Sequence, residues 1–188
     1  MSVTRNAREV KAVMGIDASL NSSGVSVRDS RGRAVTTRIV PGKRREIERL
    51  EWNHNRLRDL LLAYEPKVVV IEGYAMGKAS NNLASMGEWG GIAKLLAHQH
   101  GAQVITVTPS SLRMMITGDG GAKGKAIMKE CLHRISTDYR HIVQNDEVDA
   151  CCLMLVGEAI VNRTGSPRLI QSIRSKMKED KPGIHIVN

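Results

Sequence analysis

The sequence predicts an α/β domain built on a mixed five-stranded sheet, an antiparallel meander plus two parallel strands, flanked by helices. Two short runs, "AVMGI" at 12–16 and "VVVIE" at 68–72, are apolar up to a closing acid, Asp17 after the first and Glu72 in the second. Unbroken apolar runs of that length suit strands buried on both faces. Between and after them lie segments whose apolar residues recur at three- and four-residue steps, the helical period. A strand–helix–strand connection takes a right-handed crossover, which makes the strands it joins parallel.

The elements follow in order. "GVSVRDS" and "RAVTTRIV" come after the first run, separated by a stretch in which Gly32 supplies a tight turn, so the first three strands read as a meander. From 43 to 64, Ile47, Leu50, His54, Leu57, Leu61 and Tyr64 mark one helical face, and Arg45, Arg49, Arg56 and Arg58 sit opposite. Pro66 interrupts the chain before the strand at 68–72. "GYAMGKASNN" reads as a loop, and a second helix spans 83–100 with Met86, Ile92, Leu95 and Leu96 inward. "QVITVTP" is the fifth strand, stopped by Pro109. A short helix, "SSLRMMI", leads into glycine-rich "TGDGGAKGK", then a helix at 122–135 and a last strong helix at 145–162. The expected division is one folded domain over 1–163 and a basic tail over 164–188. The tail, rich in charge and carrying two prolines, reads as weakly ordered or ordered on binding.

Composition narrows the function. At 188 residues and 41% hydrophobic the chain suits a single core-bearing domain. It has no Phe, so the core must be aliphatic with Met as filler. Lys and Arg number 28 against 19 Asp and Glu, a net charge of +9, which favours a polyanionic partner, nucleic acid first. A merely soluble basic surface is the plain alternative. Cys131, Cys151 and Cys152 form neither a disulfide framework nor a zinc pair, and free thiols in a reducing cytoplasm are expected. No apolar stretch approaches the roughly 18 residues of a membrane helix. "MSVTRNAREV" lacks the apolar core of a signal peptide.

Parallel strands ending in Asp17 and Glu72 would deliver both carboxylates to one sheet edge. Adjacent acids repel, and such a cluster persists when a hard divalent cation fills it. The last helix begins "NDEVDA", where Asp146 and Asp149 are three apart and share one face. Packed across the sheet, it would complete a set able to hold two Mg2+ ions, the arrangement that clamps the attacking and leaving oxygens in phosphodiester hydrolysis. Each acid also has a plainer role: Asp17 in a turn, Glu72 as a solvated strand end, Asp146 at a helix N-terminus, Asp149 on the surface.

At this point a resemblance becomes visible. "MGIDASLNSSGVSV", "VVVIEGYAMGKASNNLASMGEWGGIAKLLA" and "NDEVDACCLMLVGEAI" resemble, in order, the first strand, the acidic strand with its following helix, and the terminal acidic helix of the RuvC family of Holliday-junction resolvases, of the RNase H-like superfamily. The likeness spans about 12–162. It implies an RNase H-like fold, a homodimer, binding to branched DNA at four-way junctions, and symmetric Mg2+-dependent nicking, with Mn2+ able to substitute. Asp17, Glu72, Asp146 and Asp149 fall on the family's metal-binding quartet. The sequence departs from the pattern at Gly124, where the family has a lysine, so Lys123 or Lys125 takes that role. It departs again at Ala75, where bacterial members have an aromatic; Tyr74 is adjacent. The first residues and the tail, outside the common pattern, suit a divergent, phage-encoded member.

Among basic residues, Lys78 is placed to meet a phosphate near the scissile bond, and Lys123 and Lys125 begin a helix, where anions are favoured. Arg28, Arg31, Arg33 and Arg38 read as solvent-facing charges more than as a DNA track. "GDGGAKGK" is not a phosphate-binding P-loop, since Asp119 and Ala126 stand where glycine and Ser/Thr are required. Trp89 is expected in the core or at a dimer interface. Three other readings remain: a nuclease of the same fold acting on other branched DNA or RNA–DNA hybrids, a non-catalytic junction binder, and an actin-like ATPase, for which the chain is too short.

Overall fold

The computed structural model describes residues 11–29, 31–73, 83–121, 125–135, 137–165, 167–177 and 183–187. Strands β1 (Val13–Asp17), β2 (Ser23–Arg28) and β3 (Ala34–Ile39) form the antiparallel meander. Helix α1 (Glu46–Tyr64) crosses to β4 (Val68–Glu72), which pairs parallel with β1. Helix α2 (Leu83–Gln99) crosses to β5 (Gln103–Val107), parallel to β4. Then come α3 (Pro109–Thr117), α4 (Lys125–Ile135), a 3-10 turn at Thr137–Tyr139, and α5 (Asn145–Val161). The sheet order is β3-β2-β1-β4-β5-β6.

Two findings depart from the expected chain plan. Among the described residues the sheet has six strands, not five: β6 (Ile184–Val187) pairs antiparallel with β5, and α6 (Pro167–Met177) precedes it. Within the segment that composition suggested was weakly ordered, α6 and β6 therefore pack on the domain. Leu169, Ile173 and Ile184 enter the core, three apolar residues whose burial a charged, proline-bearing background conceals. Pro109 also opens α3 instead of merely stopping β5. Thr108 caps that helix by accepting from the Ser111 N–H, and a proline at the first helical position lacks a hydrogen that would have no partner there.

Alternation along the central strands divides the core in two. Met14, Ile16, Val69 and Ile71 face α1 and α2, against Leu57, Leu61, Trp89, Ala93 and Leu96. Val13, Val68 and Val70 face α5, against Leu153, Met154 and Val156, with α3, α4 and α6 packed behind it. Each fully buried Leu or Ile contributes roughly 2 kcal/mol. The helical faces follow expectation at Leu50, Leu57, Leu61 and Tyr64 of α1 and at Met86, Ile92 and Leu96 of α2, and depart from it at Ile47 and Leu95. In α1 the inward residues are Asn53, Leu57 and Leu61, while Ile47 is exposed. In α2 Trp89, Ala93, Leu96 and Ala97 are buried and Leu95 is exposed. Helix α2 is apolar around much of its circumference, so its spacing did not single out one face. Among the described residues no helix is long and apolar enough to cross a membrane.

Candidate active site

The strand acids arise from β1 and β4, which run side by side in parallel. Ile16 pairs with Ile71 in register, and Asp17 and Glu72 are the next residue of each strand. Because Val13 and Val68 share the α5 side of the sheet, the two-residue alternation puts Asp17 and Glu72 on that side too. Asp17 is 8% exposed, whereas Glu72 is half-buried.

Helix α5 supplies the other two acids, and glycines set its height above the sheet. A Cβ on Gly15 would lie 2.1 Å from the Ala150 carbonyl oxygen, so β1 and the helix meet backbone to backbone there. Gly24, paired with Asp17 across the β1–β2 ladder, meets the first turn of α5 at Asp146 in the same way. Asp146 and Asp149 are half-buried at this end of the helix, with Val148 between them turned into the core. All four positions thus come to one end of one sheet face. The carboxylates are gathered but not closed: among the described residues no three His, Cys, Asp or Glu side chains form a ready metal-ligand group. Asp17, Glu72 and Asp149 each engage in interactions within the fold. The donor chemistry nevertheless fits a hard dication, since every donor is a carboxylate oxygen.

Tyr74, Lys78 and Lys123 lie outside the described residues, and Lys125 is placed only as the first residue of α4. Of the meander arginines, Arg28 and Arg33 are taken by ion pairs. Arg33 contacts Asp29 at 2.6 Å, which holds the Asp29 carboxyl below its usual range, chiefly through hydrogen bonds from Arg33.

Arg28 belongs to a partly buried network at the far end of β2. Its Nε meets Glu158 Oε1 at 2.6 Å, and its guanidinium donates to the Tyr139 hydroxyl and to the Gly32 carbonyl, the latter at 3.0 Å. Burial pushes the Tyr139 hydroxyl up to about 12 and raises Glu158 despite the arginine beside it. Val13 pairs with Arg28 and Asp17 with Gly24, so this network fastens α5 to the sheet at the end opposite the acids. Neither it nor the glycine contacts were read from sequence, because each joins residues far apart in the chain. Nor was a buried hydrogen bond from Trp89 Nε1 to Ser23 Oγ, 2.9 Å, beside the acid-bearing turn.

Comparison with known proteins agrees with this architecture. A family profile described as "Crossover junction endodeoxyribonuclease RuvC" matches residues 13–156. A protein of that description from Mycobacterium avium (strain 104) is 30% identical over 149 residues, 76% of this chain and 79% of the relative. One from Synechococcus sp. (strain WH7803) is 25% identical over 151 residues and is covered to 96% of its length. Among solved structures, Thermus thermophilus RuvC in complex with Holliday junction substrate superposes with a TM-score of 0.65 at 21% identity, over 77% of this chain and 91% of that one. That likeness confirms the expected fold. Nucleases of this family are metal-dependent. The match over 13–156 includes both acidic strands and the start of α5, and the chain belongs to the RuvC family of crossover junction endodeoxyribonucleases.

Proposed function

We propose that the protein is a structure-selective DNA endonuclease that resolves four-way junctions by symmetric, Mg2+-dependent phosphodiester hydrolysis. The observation that carries this reading is the delivery of four carboxylate positions, from β1, β4 and α5, to one end of one sheet face in a member of this family. The Mycobacterium avium relative bears the name of a crossover junction endonuclease, and the Thermus structure is titled as a complex with a junction substrate.

In this reading Asp17, Glu72 and Asp149 would hold the metal, with Asp146 assisting. Mg2+ bound there would supply an activated water and charge neutralisation at the leaving oxygen. The protein's part is to hold the carboxylates on a stiff support. Asp17 ends a central strand with neighbours on both sides, and α5 rests on glycine main chain beneath it. Lys78, Lys123, Lys125 and Tyr74 are assigned to the DNA. A homodimer would present two such sites to strands of like polarity, and the net charge of +9 would hold the arms through phosphates.

The test is cleavage of an immobile four-way junction, with and without Mg2+, beside flaps, forks and RNA–DNA hybrids. Paired nicks across the junction, dependent on metal, are expected. Equal or faster cutting of hybrids or flaps would move the assignment to a nuclease of broader specificity.

A further inference from the structure

The turn that follows Asp17 is tied down from the side of the sheet away from α5. Trp89, fully buried in α2, donates its indole N–H to Ser23 Oγ at 2.9 Å. The Ser23 hydroxyl, also fully buried, donates in turn to the Ser19 carbonyl at 2.7 Å. The Ser19 N–H donates to the main-chain carbonyl of Asp17 at 3.1 Å. A three-bond relay therefore runs from α2 to the residue at the tip of β1. The Ser23 hydroxyl is used as both acceptor and donor, while an indole can only donate, so the direction of the relay is set by chemistry.

The next residue shows why the anchor matters. Gly24 pairs with Asp17 across the ladder and touches the Asp146 main chain on the opposite side. Ser23 faces α2 and Gly24 faces α5, as alternation along a strand requires. Fixing Ser23 fixes the peptide against which Asp17 and the first turn of α5 are both registered. Trp89, Ser23 and Ser19 bear no charge, and they reach Asp17 through its main chain.

From this geometry we infer that Trp89 and Ser23 are positioning residues: their hydrogen bond holds the 18–24 turn, and through it sets the separation of Asp17 from the Asp146 end of α5. The inference rests on the proposed nuclease reading for its consequence in cleavage, but the relay itself can be measured without any activity. Trp89→Phe removes the hydrogen bond together with part of the indole's volume, whereas Ser23→Ala removes the same bond with the loss of one hydroxyl, so a loosening of the turn common to both reports the bond and not the cavity.

The experiment uses the full chain and three variants, Trp89→Phe, Ser23→Ala and the pair together. Amide hydrogen exchange is followed with no metal or DNA present. Junction cleavage is followed against Mg2+ concentration, and junction binding is measured in Ca2+. Trp89→Phe should speed exchange across 18–24 by about fivefold, the scale of one net hydrogen bond, and leave the rest of α2 unchanged. It should lower the cleavage rate and raise the Mg2+ needed for half-maximal rate by a similar factor, with junction affinity as in the parent. The double variant should be no worse than Ser23→Ala, because both substitutions break the same relay. Parental exchange in Trp89→Phe, loosening spread over all of α2, or multiplicative effects in the pair would overturn the inference. A parent that cuts no junction, with the exchange pattern as expected, would instead overturn the proposed function and leave the relay standing.

Discussion

A Cβ built on Gly24 would lie 1.8 Å from the carbonyl oxygen of Asp146, so β2 and the first turn of α5 touch main chain to main chain. No side chain fits between them, and neither partner of the clash is a flexible end that could swing away. Gly24→Ala is therefore expected to lower stability by about 2–3 kcal/mol through overpacking, with junction cleavage falling further than the stability loss explains. Urea unfolding and cleavage rates measured on the same preparation check both parts.

Asp17 is the most buried of the four acids. Asp17→Asn keeps its size and removes its charge. Cleavage should drop by at least about a thousandfold, while junction binding in Ca2+ stays within about threefold of the parent. Chelation of the parent's metal should give the same result and be reversed by added Mg2+. Parental cleavage by the Asn variant would remove Asp17 from the site.

The Arg28–Glu158 pair predicts a pH dependence with a definite sign. Burial holds the Glu158 carboxyl above its usual 4.5, so the folded state keeps a proton that the unfolded chain releases. Stability attributable to this group therefore falls as pH rises through and above 4.5. Arg28→Leu removes the compensating charge and raises the folded value further. Its cost should be about 2 kcal/mol at pH 8 and smaller at pH 4.5, where less of the buried carboxyl carries the charge that Arg28 offsets. Denaturant midpoints at the two pH values give the difference. Glu158→Gln should abolish the pH-dependent part.

The cysteines should separate cleanly in a thiol assay. Burial pushes Cys151 up to about 12 and Cys152 well above its ordinary value, so both stay protonated as well as inaccessible. Cys131 is half-buried on α4. Native protein should therefore release about one equivalent with a thiol reagent, and denatured protein all three.

Ending the chain at 163, where composition suggested that the domain closes, would remove Leu169, Ile173 and Ile184 from the core. It would also strip β6 from β5 and leave a new open sheet edge. A loss of about 5 kcal/mol is expected from the three buried side chains. Urea unfolding of the shortened chain measures it.

What could be read from the sequence depended on whether a residue's neighbours are local. The strands at 13–17 and 68–72 were legible because burial on both faces leaves an unbroken apolar run, and their closing acids stood out against it. Asp146 and Asp149 were legible because their spacing is a property of one helix. The inward face of α2 was legible at Met86, Ile92 and Leu96 but not at Leu95, since Leu95 and Leu96 are equally apolar and the choice between them is made by the sheet below. Strand β6 was not, because four residues after a charged stretch gain their meaning from pairing with β5. The Trp89–Ser23 bond joins residues 66 apart, and no periodicity announces it.

The order of the acids along the polypeptide has a consequence for synthesis. The positions at Asp17 and Glu72 emerge from the ribosome early, but those on α5 come after every other central element of the sheet. A product released prematurely, even one that had completed β5, would carry half of the proposed carboxylates and lack the helix on which the other half depend. On the proposed reading, a fragment that stops short of α5 could not assemble the site, whichever strands it had completed.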